Sequence, residues 1–259
     1  MLWLGMGIPV LGAVLTAFAL NVLGLGGESE SVSPPAGGPS VSSSSGPFTV
    51  SARQENDEGC TATPRKVSSL EDRAELVSGG DVGAVVRRNQ GARVGELDVS
   101  LTIEGGTVPL TITSIDIKPK SPRPAPPLSG TLLCEPTAGG EPKIQLFADM
   151  DRPEPVFLTG KSSTQRYFRD KVITVKPGEQ VNLSASFLAG NGSREFGLIV
   201  RYVQNGKEAT VPVPAPRGGR YAVTGYSKKY EALYTGSRGG VFQLIADPEL
   251  CRWSPAPQC

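Results

Sequence analysis

The chain of 259 residues contains no histidine. That absence removes Ser-His-Asp and Cys-His catalysis, His-ligated zinc and the usual proton shuttle near neutral pH. The four cysteines never occur with CxxC spacing, so a thiolate zinc cluster has no local framework. A phosphate-binding loop is missing too. Gly160-Lys161-Ser162 has the required ending, but Pro155 stands where the earlier glycine must be. No Ser-x-x-Lys occurs either. The expectation is therefore a non-enzymatic protein with no catalytic residues, no metal and no cofactor. A hydrolase using carboxylates alone remains a lesser alternative, because the separation of such a pair exists only in space.

Charge is absent from one end. Residues 1–27 include no Lys, Arg, Asp or Glu and are mostly Leu, Val, Ile, Ala, Gly, Phe, Trp or Met. About 20 apolar residues rising ~1.5 Å each cross the ~30 Å of a bilayer core. Trp3 sits at one end, where an interfacial aromatic is at home. Ala17-Phe18-Ala19 has the small-x-small form of a signal cleavage site, yet the apolar run continues to Leu25 and no basic residue precedes it. These features predict a transmembrane anchor helix over residues 1–27, contacting the membrane through Met1–Gly27. The flanks carry no basic residue close enough to set its orientation. The cysteines supply that: Cys60, Cys134, Cys251 and Cys259 form an even set after the run, as disulfides in an oxidising compartment would. The expected location is the cell membrane, single-pass, with the body outside the cytoplasm. Three pairings are open to four cysteines. The short spacing of Cys251 and Cys259 favours a local clasp, which leaves Cys60 with Cys134, but spacing alone does not decide.

Residues 28–47 turn to Ser, Gly and Pro, a composition that buries too little apolar surface to offset its ordering entropy. A disordered linker is expected there, reaching roughly 25 Å. Lys and Arg number 26 against 25 Asp and Glu, so the net charge is +1. Nucleic acid is not an expected partner, because its binding needs concentrated positive charge.

Residues 48–259 form the body, and their apolar pattern is mainly of period two. Leu97, Val99, Leu101 and Ile103 alternate with polar residues, and Gly105-Gly106 turns the chain toward Leu110 and Ile112, which reads as a hairpin. Ile115 and Ile117 are out of phase by one residue, so Thr113-Ser114 should hold a bulge or a crossing between sheets. Further on, Val172 and Thr174 lead through Pro177-Gly178 to Val181, Leu183, Ala185 and Phe187. Gly190-Asn191-Gly192 then turns into Phe196, Leu198, Val200 and Tyr202, and Asn205-Gly206 into Val211 and Val213. Asn-Gly between alternating runs is a strong hairpin signal, since both residues tolerate positive φ. Weaker strands are expected at 84–88, 143–147 and 241–245, and a helix from a Ser68/Glu71 capping box through Leu70, Ala74 and Val77 to Gly79-Gly80. Together these predict a mainly β fold, an immunoglobulin-like antiparallel β-sandwich preceded by one transmembrane helix and a disordered linker. Two smaller β units meeting near 151–155 are the alternative.

Two clusters could bind something. Tyr221, Tyr226, Tyr230 and Tyr234, interleaved with Arg220, Lys228 and Lys229, could present rings to a sugar or peptide, or could simply cap the sandwich edge. Asp149, Asp151 and Glu154 have spacing that could touch a calcium ion, but no glycine turns the loop and a solvated acidic loop is expected.

Val108-Pro109-Leu110-Thr111-Ile112, Ile115-Asp116-Ile117, a Pro-rich loop and Cys134 lie within the segment Gly105–Pro136. This segment, with Gly218-Gly219-Arg220-Tyr221 through Gly225, resembles a loose group of uncharacterised actinobacterial membrane-anchored proteins. The resemblance implies an extracytoplasmic β-domain and no activity. On these grounds the expected function is a membrane-anchored cell-surface binding or protein-interaction module that contacts an envelope protein or glycan. The alternative is the extracytoplasmic sensory or regulatory part of a transmembrane signalling or assembly system.

Overall fold

The computed structural model describes residues 41–43, 47–55, 59–135, 144–216, 219–236 and 241–245. The expected anchor over 1–27, the linker through residue 40, and Cys251 and Cys259 lie outside them. Among the described residues, no helix is long and apolar enough to cross a membrane.

The body is mainly β, in two sheets. The smaller one runs in the order β1 (Val41–Ser43), β2 (Phe48–Gln54), β5 (Glu96–Gly105), β11 (Gln180–Leu188), β8 (Ile144–Asp149) and β9 (Phe157–Leu158). The larger one begins with β10 (Ile173–Val175), β6 (Leu110–Pro119) and β12 (Ser193–Gln204). Along the far side of β12 lie both β13 (Lys207–Val213) and β14 (Tyr221–Thr224), which pair with successive stretches of it. The sheet then continues through β4 (Ala92–Val94), β3 (Gly59–Ala62), β7 (Thr131–Glu135), β15 (Ala232–Gly236) and β16 (Phe242–Ile245).

The alternating residues explain the packing. Val99, Leu101 and Ile103 of β5 with Leu183, Ala185 and Phe187 of β11 meet Leu198 and Val200 of β12 and Ile112 of β6 in one core. Phe157, Phe187, Phe196 and Tyr221 form a chain of rings through it, with successive centroids 5.6, 4.6 and 5.5 Å apart.

Only part of the larger sheet is covered by the smaller one. Directly paired residues on neighbouring strands point to one side, so the pairs Val223↔Arg93, Thr61↔Arg93 and Thr61↔Leu133 trace a single face across β14, β4, β3 and β7. At β14 that face lies under the small sheet, with Val223 in the sandwich core. At β7, β15 and β16 it lies under a pair of helices, α1 (Leu70–Ser78) and α2 (Val82–Arg88), where Leu133, Tyr234 and Phe242 pack against Leu76 and Val85. The opposite face of these strands carries Leu132, Leu233 and the bonded pair Cys60–Cys134, which face each other across β3 and β7. The chain passes from β4 to β5, and so from one sheet to the other, through Gly95 alone, whose φ of +79° suits glycine.

Several expectations change. Both sheets are mixed: β11 with β8, β14 with β4 and β15 with β7 are parallel. The supposed hairpin at Gly105-Gly106 is an arch that carries the chain from β5 in one sheet to β6 in the other, and Pro177-Gly178 does the same between β10 and β11. The two arches lie together, with Gly178 N–H donating to Gly105 O at 3.1 Å. Alternation names the buried face, and an arch between facing sheets buries the same residues as a hairpin. In β10 the phase is the reverse of that expected: Ile173 and Val175 are buried and Val172 is exposed.

Residues 84–88 belong to a helix, because the Asp81 carboxylate caps it by accepting from Ala84 N–H at 2.8 Å. In α1 the cap is Ser69, accepting from Asp72 N–H, and Gly79 ends it at φ +74°. Its buried residues are Asp72 and Leu76 rather than Leu70 and Val77. The linker expected over 28–47 contains β1, which pairs with β2. A strand addition uses backbone groups that a Ser-rich composition does not hide. Strands from both sides of residues 151–155 pair with one another, so the body does not divide there.

Other expectations hold. Register shifts where Ser114↔Arg201 gives way to Ile112↔Tyr202, leaving Thr113 as the bulge. Asn205 and Gly206, at φ +51° and +74°, make the two-residue hairpin between β12 and β13.

Candidate functional site

Where the two covers of the larger sheet stop, a cleft of about 690 Å³ remains between them. Thr61 and Arg93 line it from β3 and β4, Val82, Gly83, Val86 and Arg87 from α2, and Gln54, Leu97 and Val99 from the smaller sheet. Lys120, Glu195 and Arg220 line it as well. This is a seam rather than a mouth, since each wall is an element held by its own hydrophobic core.

The seam concentrates charge. Arg93 is only 8% exposed, and a side chain at Gly59 would come within 2.7 Å of its guanidinium. Glycine at 59, with φ +97°, thus leaves room for it. Glu195 accepts from Lys120 and, at 2.9 Å, from Arg220. Burial works against ionising Glu195, but these two cations outweigh it and hold its carboxyl below the usual range. Arg220 also donates to the carbonyls of Gln90 and Gly91, fixing its guanidinium beside the turn after α2. Arg87 pairs with Asp81 at 3.4 Å. Glycines 59, 80, 83, 91 and 219 also line the cleft, and at 59, 80 and 91 the space a side chain would need is taken by Arg93, Glu75 and Val86. The chemistry on offer is ionic and hydrogen-bonding recognition against a partly apolar wall.

The tyrosines are not gathered on a surface. Tyr221 is 2% exposed, with its hydroxyl donating to Pro214 O, and burial pushes its pKa up. Tyr230 is 3% exposed and accepts from Ser227 N–H, while Tyr234, equally buried, packs under the helices. Tyr226, half-buried, lies against Gly95 and the core around the disulfide. Three separate cores use the rings as large buried side chains, and the hydroxyls of Tyr221 and Tyr230 find partners. Only Tyr221 touches the seam.

Cys60 and Cys134 are bonded. Asp149 pairs with Arg152 at 3.0 Å, and Asp151 accepts backbone N–H groups of the turn at Gly190. Among the described residues, no group of three or more acidic, Cys or His side chains is placed to hold a metal. The seam residues Arg93 of β4, Glu195 of β12 and Arg220 just before β14 were not legible as a group, because they are far apart in the chain. A faint signal existed in Ala92-Arg93-Val94-Gly95, an arginine inside an otherwise small and apolar strand. No protein-family model matches the chain, and no curated protein is similar to it.

Proposed function

We propose that this chain is a membrane-anchored binding module whose body stands outside the cytoplasm and contacts an envelope protein or glycan through the seam cleft. The observation that carries the reading is the cleft itself, glycine-walled and lined by Arg87, Arg93, Lys120 and Arg220 against Glu135 and Glu195. The two-sheet body, in the manner of an immunoglobulin-like sandwich, is the frame that displays it. The charge-free run at residues 1–27 supports the anchor, and the resemblance to membrane-anchored actinobacterial proteins belongs to the same reading. Two carboxylates line the cleft, but Glu195 is held ionised by its cations. A glycosidase acid needs a raised pKa, so Glu195 is not suited to that role.

The test is an array of purified envelope polysaccharides together with cross-linking of the full chain on cells. A ligand retained by the native chain should bind Arg220→Ala at least tenfold more weakly, with the circular dichroism unchanged. Equal binding by both proteins would remove the seam from the proposal, and silence in both assays would count against a binding module altogether.

A further inference from the structure

A second candidate site lies along the β6 edge of the larger sheet and shares no lining residue with the seam. On one side β6 is paired with β12 along nearly its whole length, from Pro119↔Phe196 to Thr111↔Val203. On the other side β10 covers only Leu110–Ile112. Beyond the bulge at Thr113, the stretch Ser114–Lys118 therefore has no strand along its outer edge among the described residues. At about 3.4 Å per residue this open edge is roughly 17 Å long.

The edge borders a cavity of about 700 Å³, with Val156 and Phe157 on one side and Arg166, Phe168 and Arg169 on another. A neighbouring cavity of about 380 Å³ shares Glu154, Val156 and Arg166 with it and continues toward Arg152 and Thr164. The two form one trough beside the bare edge. Phe168, at the start of the four-residue helix α3 (Tyr167–Asp170), packs on the sandwich core and gives the trough a firm apolar wall.

Its charge has a direction. Lys118, Arg152, Arg166 and Arg169 line the trough against Asp116 and Glu154. Asp116 is already engaged by Arg201 at 2.7 Å, Lys118 at 3.3 Å and the Ser114 hydroxyl at 2.9 Å. Burial opposes its ionisation, yet these partners hold its carboxyl below the usual range. Among the described residues, Arg169 pairs with the adjacent Asp170 alone, 3.9 Å away. The Arg166 side chain makes no capping bond to α3 and no ion pair among the described residues. Exposed guanidinium groups beside an open strand edge suit a strand whose side chains on one face are acidic.

We propose that the trough binds an extended acidic peptide, which adds as a strand to Ser114–Lys118 of β6 and sets alternate Glu or Asp side chains against Arg166 and Arg169. Main-chain hydrogen bonds to β6 supply affinity, and the two arginines with the Val156–Phe168 wall supply selectivity.

The probe is a capped hexapeptide alternating Glu with Val and Thr, added to the full chain. Hydrogen exchange read by mass spectrometry should slow in the segment containing Ser114–Lys118. The doubly substituted Arg166→Glu, Arg169→Glu chain should bind at least tenfold more weakly, and Arg220→Ala should bind unchanged. Two N-methylated versions of the peptide, one blocking each edge, separate strand addition from simple charge attraction: one should lose binding and the other keep it. Equal binding by both, or by a peptide with Lys in place of Glu, overturns the proposal. So does absence of binding, or loss of binding in Arg220→Ala, which would move the peptide to the seam.

Discussion

The carboxylate of Asp151 accepts from the backbone N–H groups of Gly190, Asn191 and Gly192 at 2.8, 3.0 and 3.2 Å. Three successive donors converging on one anion make a nest, and here the anion is supplied by the chain itself. The turn between β11 and β12 is thereby held against the loop after β8. Because each bond has a charged acceptor, Asp151→Ala should cost about 2–3 kcal/mol in urea denaturation, and Asp151→Asn less. A change near zero would mean that water replaces the carboxylate without loss. The acidic cluster was visible in the sequence, but its partner was not, since these N–H groups come about 40 residues later. Asp98 shows the opposite electrostatics. Burial pushes its carboxyl above the usual value, and neighbouring Glu96 adds to this, while the Ser186 hydroxyl and Lys161 act against it. The folded state then holds that proton more tightly than the unfolded chain does. Stability falls as pH rises through this window, and the cost is absent below about pH 3. Asp98→Asn should accordingly raise the melting temperature at pH 7, and the gain should fade as pH approaches 3. A gain independent of pH would assign the effect to packing.

At the scale of elements, the bond between Cys60 and Cys134 joins β3 to β7 across a sequence separation of 74. Closing a loop of that length in the unfolded chain is worth about 4 kcal/mol by chain entropy. Replacing both residues by Ala should lower the unfolding free energy by an amount of that order, and a reducing agent should do the same to the native chain but nothing to the double variant. The sequence narrowed this pair without deciding it, because pairing depends on β3 and β7 becoming neighbours. The helices were partly legible. A glycine stop and a serine cap announced α1, yet the cap was displaced by one residue and the buried face was misread. Leu70 is 82% exposed, whereas Leu76 is fully buried. Short helices offer too few turns for periodicity to settle which side faces the core.

For the molecule as a whole, one continuous sheet carries two separate covers, and the seam between them is the candidate site. Leu76 anchors the helical cover with no exposed surface. Truncation to Ala should cost about 2–5 kcal/mol. If the covers respond separately, hydrogen exchange should rise first in β7, β15 and β16 and later in β5, β11 and β12. Uniform acceleration would show that the body unfolds as one cooperative unit.

The sequence by itself determined that the body is mainly β, which residues of β5, β11 and β12 face inward, where Asn205-Gly206 turns, where the bulge at Thr113 falls, and that histidine chemistry is absent. These are local properties: period-two alternation and positive-φ residues act within a few positions of the chain. The tertiary structure alone decided that β5 arches to β6 instead of pairing with it, that the tyrosines serve three cores, and that Arg93, Glu195 and Arg220 meet in one cleft. Alternation encodes which face of a strand is buried. It carries nothing about which distant strand lies alongside, and the candidate sites of this protein arise where such strands meet or stop short.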